Sequence, residues 1–203
     1  MLTFAAAVFF LIITPGPGVL STAGVGSAFG AKPGTRYVLG LSIGTNMVAL
    51  AVVSGIAAVV LADPRIRTVL FVASAAYLFY LALRIALAGS RIAFIEAKSP
   101  PGVGNGIALQ MINPKAYAVN TTLFSGFSFL PGNLAAETLI KFVIVNAIWI
   151  PIHFLWLWAG IRLHDLNLSE RAHRAVNILM SLSMLAVVAL AVAGTLMTKG
   201  PTP

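Results

Sequence analysis

The chain has 203 residues, of which 59% are apolar and 9% charged, and its mean hydropathy is +0.97. A soluble domain is about 45–50% apolar and about 25% charged, and 13 Lys/Arg with 5 Asp/Glu are too few to coat one in water. Composition therefore argues against a soluble enzyme, a disordered tail or a coiled coil, and for a polytopic membrane protein. The net charge of +8 lies in short clusters between apolar runs, as in membrane loops, so no nucleic-acid partner is expected. With no cysteine, disulfides, thiolate metal sites and thiol redox chemistry are closed to this chain.

A helix needs about 20 mostly apolar residues to cross a hydrocarbon core of about 30 Å. Such runs occur six times, at roughly 3–30, 37–61, 68–88, 105–130, 137–160 and 173–197. The first has no Lys or Arg before Lys32, and its early apolar stretch ends in Thr14-Pro15-Gly16-Pro17-Gly18 rather than a small-residue cleavage site. It reads as a retained span, not a cleaved signal. Pro15 and Pro17 lack amide donors and Gly16 and Gly18 tolerate positive φ, so the helix is expected to break there. Ala31-Lys32-Pro33-Gly34-Thr35-Arg36 reads as a polar connector to the second span, which carries Asn46. A second connector, 62–67, precedes the third. The fourth is interrupted by Asn113-Pro114 and carries Lys115 in mid-span. The fifth holds Asn146, Trp149, Pro151, His153, Trp156 and Trp158.

Connectors one, three and five carry Lys32, Arg36, Arg84, Arg91, Lys98, Arg162, Arg171 and Arg174, against Arg65, Arg67, Lys141 and Lys199 on the other side. This 8:4 bias puts both termini on the non-cytoplasmic side. The breaks at 14 and 113 stand 99 positions apart, each about ten residues into its span. The chain thus reads as an all-α membrane protein of six transmembrane helices. They form two three-helix repeats, residues 1–98 and 99–203, in one integral membrane domain. Three is odd, so the second repeat enters from the opposite side. Paired broken helices in an inverted repeat point to a transport site; two unrelated proline kinks are the alternative.

Backbone freed inside a membrane must line a cavity or find partners. The amides of one half-helix suit a carboxylate and the carbonyls of the other suit an ammonium group, so two facing breaks would hold a zwitterion such as an α-amino acid. Thr14 could cap the half-helix beginning near Pro15 or Pro17, and Asn113 the one beginning at Pro114. Lys115 is a candidate for substrate contact or gating; it could instead snorkel, or bind carbonyls of the broken helix as structural glue. Asp63, Glu96, Glu137, Asp165 and Glu170 all map to connectors or span ends, so no carboxyl relay is expected. His153 is either the carrier of a coupling proton or a hydrogen-bonded structural residue. Asn46 and Asn146 could line the cavity or bond helices together. Gly40-Leu41-Ser42-Ile43-Gly44 and Gly26-Ser27-Ala28-Phe29-Gly30 suit close packing within the chain, or a dimer seam. Trp156 and Trp158 suit an interface belt, while Trp149 could wall the pocket. Nothing in the sequence suggests catalysis or a cofactor.

These residues resemble the LysE/RhtB family of bacterial amino-acid exporters along nearly the whole chain. The likeness lies in Thr14-Pro15-Gly16-Pro17, Gly40-Leu41-Ser42-Ile43-Gly44, Ala75-Ala76-Tyr77-Leu78 and Gln110-Met111-Ile112-Asn113-Pro114-Lys115. The resemblance implies a proton-driven, dimeric inner-membrane secondary exporter of amino acids or close derivatives. The expected substrate-binding residues are Thr14, Pro15, Gly16, Pro17, Asn46, Asn113, Pro114 and Lys115. The family usually has Asn where this chain has Gly18, and many members have an acidic residue where it has Thr45. Both departures argue against lysine or arginine as substrate and towards a neutral amino acid. The competing readings are an ion or metal exporter of related design and a membrane assembly protein that transports nothing. Hard cations would want carboxylates, and softer metals Cys or clustered His.

Overall fold

A computed structural model describes residues 1–14, 16–86 and 100–165, and positions 171, 172, 174, 175, 178, 179, 181, 182, 185, 186 and 189. Pro15 and most of the expected sixth span therefore lie outside the described residues. The fold is all-helical among the described residues. In order come α1 (Leu2–Ile13), α2 (Pro17–Phe29), α3 (Ala31–Val53), α4 (Ile56–Ala62), α5 (Pro64–Ala86), α6 (Val103–Ile112), α7 (Pro114–Ser125) and α8 (Leu134–Asp165). The described positions between 171 and 189 are helical too.

Both expected breaks are present. Thr14 leaves the helix at φ −56°, ψ 124°, Gly16 is extended, and Pro17 opens α2 with the axis turned by 52°. At the second break Asn113 (φ −81°, ψ 106°) takes the extended backbone that a following proline favours, and Pro114 opens α7. Three boundaries differ from expectation, one of them because α5 begins at Pro64 and takes in most of the expected 62–67 connector. Residues 31–36 form the start of α3 rather than a connector. Gly30, at φ +77°, makes the whole turn, and Pro33 falls in the first helical turn, where a missing amide costs nothing. The second run is not continuous either: α3 stops at Val53, and Gly55, at φ +79°, separates it from α4.

The α3, α5 and α8 helices are each long and apolar enough to cross a membrane, and the bent α1–α2 pair makes a fourth if counted as one span. Their outward faces are apolar. Leu39, Ile43, Met47 and Leu50 recur at helical spacing on the exposed side of α3, and Leu139, Val143, Ile150, Phe154 and Trp158 do so on α8. A water-soluble protein would hide such faces; lipid accepts them.

The closest packing joins α2 to α8 and α3 to α6, and small residues make it possible. A Cβ on Gly40 would overlap the Val103 carbonyl, one on Gly106 would overlap Tyr37 O, and one on Gly160 would overlap Ala23 O. Gly26 faces Leu157 O, 2.8 Å from where its Cβ would stand, and Gly44 faces Gln110. Gly40, Gly44 and Gly26 of the two glycine pairs noted in the sequence thus serve contacts within the chain, while Gly30 makes the turn between α2 and α3. Helices in lipid gain no hydrophobic drive to associate, so such backbone approach is what binds them. The buried side chains of this seam include Tyr37, fully enclosed, whose hydroxyl donates to Ser21 Oγ at 3.0 Å.

At the other end a short aromatic cluster pins the 126–133 connector. Lys141 and Glu137 are buried (2% and 3% exposed) and paired at 2.8 Å. The Glu137 carboxylate accepts from the Phe129 and Leu130 amides, and Lys141 Nζ donates to the Phe124 and Phe127 carbonyls. Phe4 packs on Phe127 and Phe129, with ring centroids 5.6 and 5.7 Å away. Sequence position alone suggests connector or span-end charges for both residues; in the fold they form a satisfied buried pair.

Candidate functional site

The two breaks meet. Lys115 Nζ, from the start of α7, donates to Thr14 O at the end of α1 at 2.7 Å. Its stem lies against Gly16, where a Cβ would stand 2.8 Å from Lys115 Cδ. A carbonyl freed by the first break thus receives a cation from the second. Lys115 is partly buried and is held by the broken backbone rather than drawn out to a headgroup.

The two half-helix starts are finished differently. Asn113 Oδ1 accepts from the Lys115 amide at 3.1 Å and caps α7, as expected, while Asn113 Nδ2 donates to Gln110 Oε1 at 3.1 Å. Thr14 does not cap α2. Its hydroxyl donates back to Phe10 O at 2.6 Å within its own helix, and α2 starts from Gly16 with no side-chain cap. A threonine at a helix end has a carbonyl one turn back within easy reach, and that local partner wins here.

A cavity of about 60 Å³ lies at this junction, with room for a few waters. Thr14, Gly16, Asn113, Lys115 and His153 line it, together with Gly18, Thr45, Gln110, Asn120 and Trp149. It runs along α7 as far as Leu123 and along α8 between Val145 and His153, so it lies on the α1–α7 side of the breaks. On the other side stands the tight seam of α2 with α8 and α3 with α6. Among the described residues no Asp or Glu lines the cavity, and no group of three or more His, Cys, Asp or Glu that could hold a metal occurs.

His153 is 3% exposed, and its ring stacks on Trp149 with centroids 3.5 Å apart at 13°. Its Nδ1 lies 3.0 Å from Trp149 O. A carbonyl only accepts, so Nδ1 is the donor, and Nε2 of the neutral ring is left as an acceptor. That Nε2 would be 3.3 Å from a Cβ at Gly18, so any side chain at position 18 would enter the space it faces.

The remaining expected site residues fall elsewhere. Pro17 is buried but does not line the cavity. Pro114 turns outward to a separate, largely apolar groove of about 710 Å³ between α5 and α7. Asn46 is engaged with Asn146 through two reciprocal amide bonds of 2.9 Å each. The second N–H of each goes to the carbonyl four residues back, Ser42 O and Phe142 O. Of the two roles open to this pair, helix-to-helix bonding is the one the contacts serve. Gln110 and Asn120 were not singled out for the site. Their signal was position alone, as buried amides on the same broken helix as Lys115.

A family model described as LysE type translocator matches residues 9–200. No curated protein and no solved structure gave a significant match. A match over nearly the whole length, on an all-helical chain with outward apolar faces, identifies a membrane transporter: the chain belongs to the LysE type translocator family.

Proposed function

We propose that the protein is a secondary transporter that exports neutral amino acids, or close derivatives, across the bacterial inner membrane by alternating access coupled to protons. The observation that carries this reading is the junction of the two breaks. A cation and backbone groups freed from helical bonding surround a cavity with no acidic lining residue among the described residues. Such a site offers donors to a carboxylate and neutral acceptors to an ammonium group, and offers a second positive charge no counter-ion. That disfavours lysine and arginine.

The six-span, inverted-repeat arrangement belongs to the same proposal, with halves 1–98 and 99–203 and both termini on the non-cytoplasmic side. Three hydrogen bonds support it. Thr14–Lys115, Asn46–Asn146 and Ala82–Ser181 join residues 101, 100 and 99 positions apart, matching the spacing of the breaks. Equivalent residues of two halves can touch only near the axis that relates them, which is where a repeat-built transporter keeps its site. In this reading the glycine seam holds one side shut while the cavity side opens, and the halves rock around Lys115 and Asn113. His153 carries the coupling proton on Nε2. Thr14, Gly16, Pro17, Asn113, Pro114 and Lys115 form the substrate junction, with Pro17 and Pro114 shaping backbone rather than touching solute.

The test compares amino acids inside and outside cells expressing the protein, by mass spectrometry across the full set. Lys115→Ala at matched membrane abundance is the control. Selective loss of one or a few neutral amino acids from the cells, abolished by the substitution, is expected. No change across the panel would overturn the reading.

A further inference from the structure

Helix α2 begins uncapped in a buried place. Gly16, Pro17, Gly18 and Val19 are all buried, Pro17 has no amide, and the Gly18 and Val19 amides have no hydrogen-bond partner among the described residues. A helix start of this kind carries free donors and partial positive charge that only water or a ligand can satisfy. At the second break, Asn113 closes the start of α7 with its own side chain; nothing does so for α2.

A separate observation points to the same spot. Gln110 is 4% exposed and gives its Oε1 to Asn113, yet its Nε2 has no acceptor among the described residues. That Nε2 would lie 3.7 Å from a Cβ at Gly18, and His153 Nε2 faces the same point. A buried amide donor left without an acceptor is destabilising unless a ligand or water completes it. Beside it, Lys115 Nζ spends one of its three donors on Thr14 O.

We infer that the start of α2, Gln110 Nε2 and Lys115 Nζ form a carboxylate subsite, which reads the acid end of the substrate and rejects carboxamides and amines of the same shape. The inference rests on the amino-acid reading above and adds which end of the solute meets the first break. A carboxylate is acceptor-only, with about four lone-pair positions on two oxygens, and the free α2 amides, Gln110 Nε2 and Lys115 Nζ are all donors; His153 Nε2, an acceptor in the neutral ring, adds a donor only when it carries its proton. A carboxamide would turn an NH₂ towards those donors and lose both a bond and the charge.

Trp149 stacks on His153 at the cavity wall. With Trp156→Phe and Trp158→Phe it becomes the only tryptophan, and its fluorescence reports binding in lipid nanodiscs. Alanine, threonine, leucine and phenylalanine are titrated, each beside its carboxamide, with isocaproate and isopentylamine as the acid-only and amine-only partners of leucine. The unmodified chain, read by thermal shift with the same compounds, covers the case in which the tryptophan variant fails to fold. At least one amino acid is expected to bind at least about tenfold more tightly than its carboxamide. Gln110→Leu is expected to shrink that ratio without removing the binding of the acid. An amino acid and its carboxamide binding alike, or isopentylamine outcompeting isocaproate, would overturn the subsite and leave amino-acid transport standing. No binding by any amino acid or acid would overturn both.

Discussion

The paired amides of Asn46 and Asn146 allow a quantitative test of how α3 and α8 are joined. Each asparagine has both N–H groups and its carbonyl satisfied, through two cross-helix bonds of 2.9 Å and one bond to its own helix. Alanine at either position removes both cross-helix bonds and leaves the partner with one N–H and one carbonyl unpaired in apolar surroundings. Hydrogen bonds between membrane helices average about 0.6 kcal/mol in double-mutant cycles, so two give a coupling of about 1.2 kcal/mol. Each single substitution is expected to cost about 1–2 kcal/mol, including the orphaned partner. The double substitution should then cost about 1.2 kcal/mol less than the sum of the singles. The assay is reversible unfolding in mixed micelles, titrated with denaturing detergent, on the four proteins of the cycle. Additivity within about 0.3–0.5 kcal/mol would refute the reasoning. A substrate-affinity change on Asn46→Ala alone would reassign that residue to the cavity.

Other outcomes follow from the same contacts. Glu137→Gln removes the counter-ion of buried Lys141 and turns an NH₂ towards its ammonium, while the amide oxygen can still accept from the Phe129 and Leu130 amides. Breaking such a pair costs about 3–5 kcal/mol, visible as a lower midpoint of thermal unfolding, and Glu137→Gln with Lys141→Met should recover part of it. Gly40→Ala forces a Cβ into the Val103 carbonyl and should cost about 1–3 kcal/mol by the same measurement; a neutral result would mean α3 and α6 are not packed backbone to backbone. Asn113→Ala removes the α7 cap, worth about 1 kcal/mol, and Asn113→Asp should restore the cap while still cutting transport by placing an acid beside the substrate carboxylate. His153→Gln should leave exchange of amino acid for amino acid intact and abolish proton-driven efflux; loss of both would make His153 a structural residue.

The parts of this architecture legible in the sequence are those set by local backbone chemistry. Pro17 and Pro114 each mark the first residue of a helix because a missing amide is harmless only there, and the Asn113 cap follows from its place before Pro114. Thr14 looked like an equivalent cap, but its hydroxyl had a nearer partner in Phe10 O. Lys32 to Arg36 looked like a connector because charge and proline suggest a loop; the single left-handed residue Gly30 makes the turn and frees the rest for helix. What stayed hidden depends on contacts between distant residues. Glu137 and Lys141 show ordinary helical spacing, and only the folding back of 126–133 buries them. Gln110 stands in the motif that carries the family likeness, but nothing local gives its amide a role until α2 arrives opposite it without a cap.

The central claim is that the junction of Thr14 with Lys115 is where substrate passes. It is tested most directly in proteoliposomes loaded with a labelled neutral amino acid, chosen from the cellular panel, with a proton gradient imposed across the membrane. Efflux should accelerate when protons are driven in the opposite direction, and Lys115→Ala should reduce it to the rate of empty liposomes while the protein remains folded. Efflux that proceeds unchanged in Lys115→Ala would contradict a site at the two breaks.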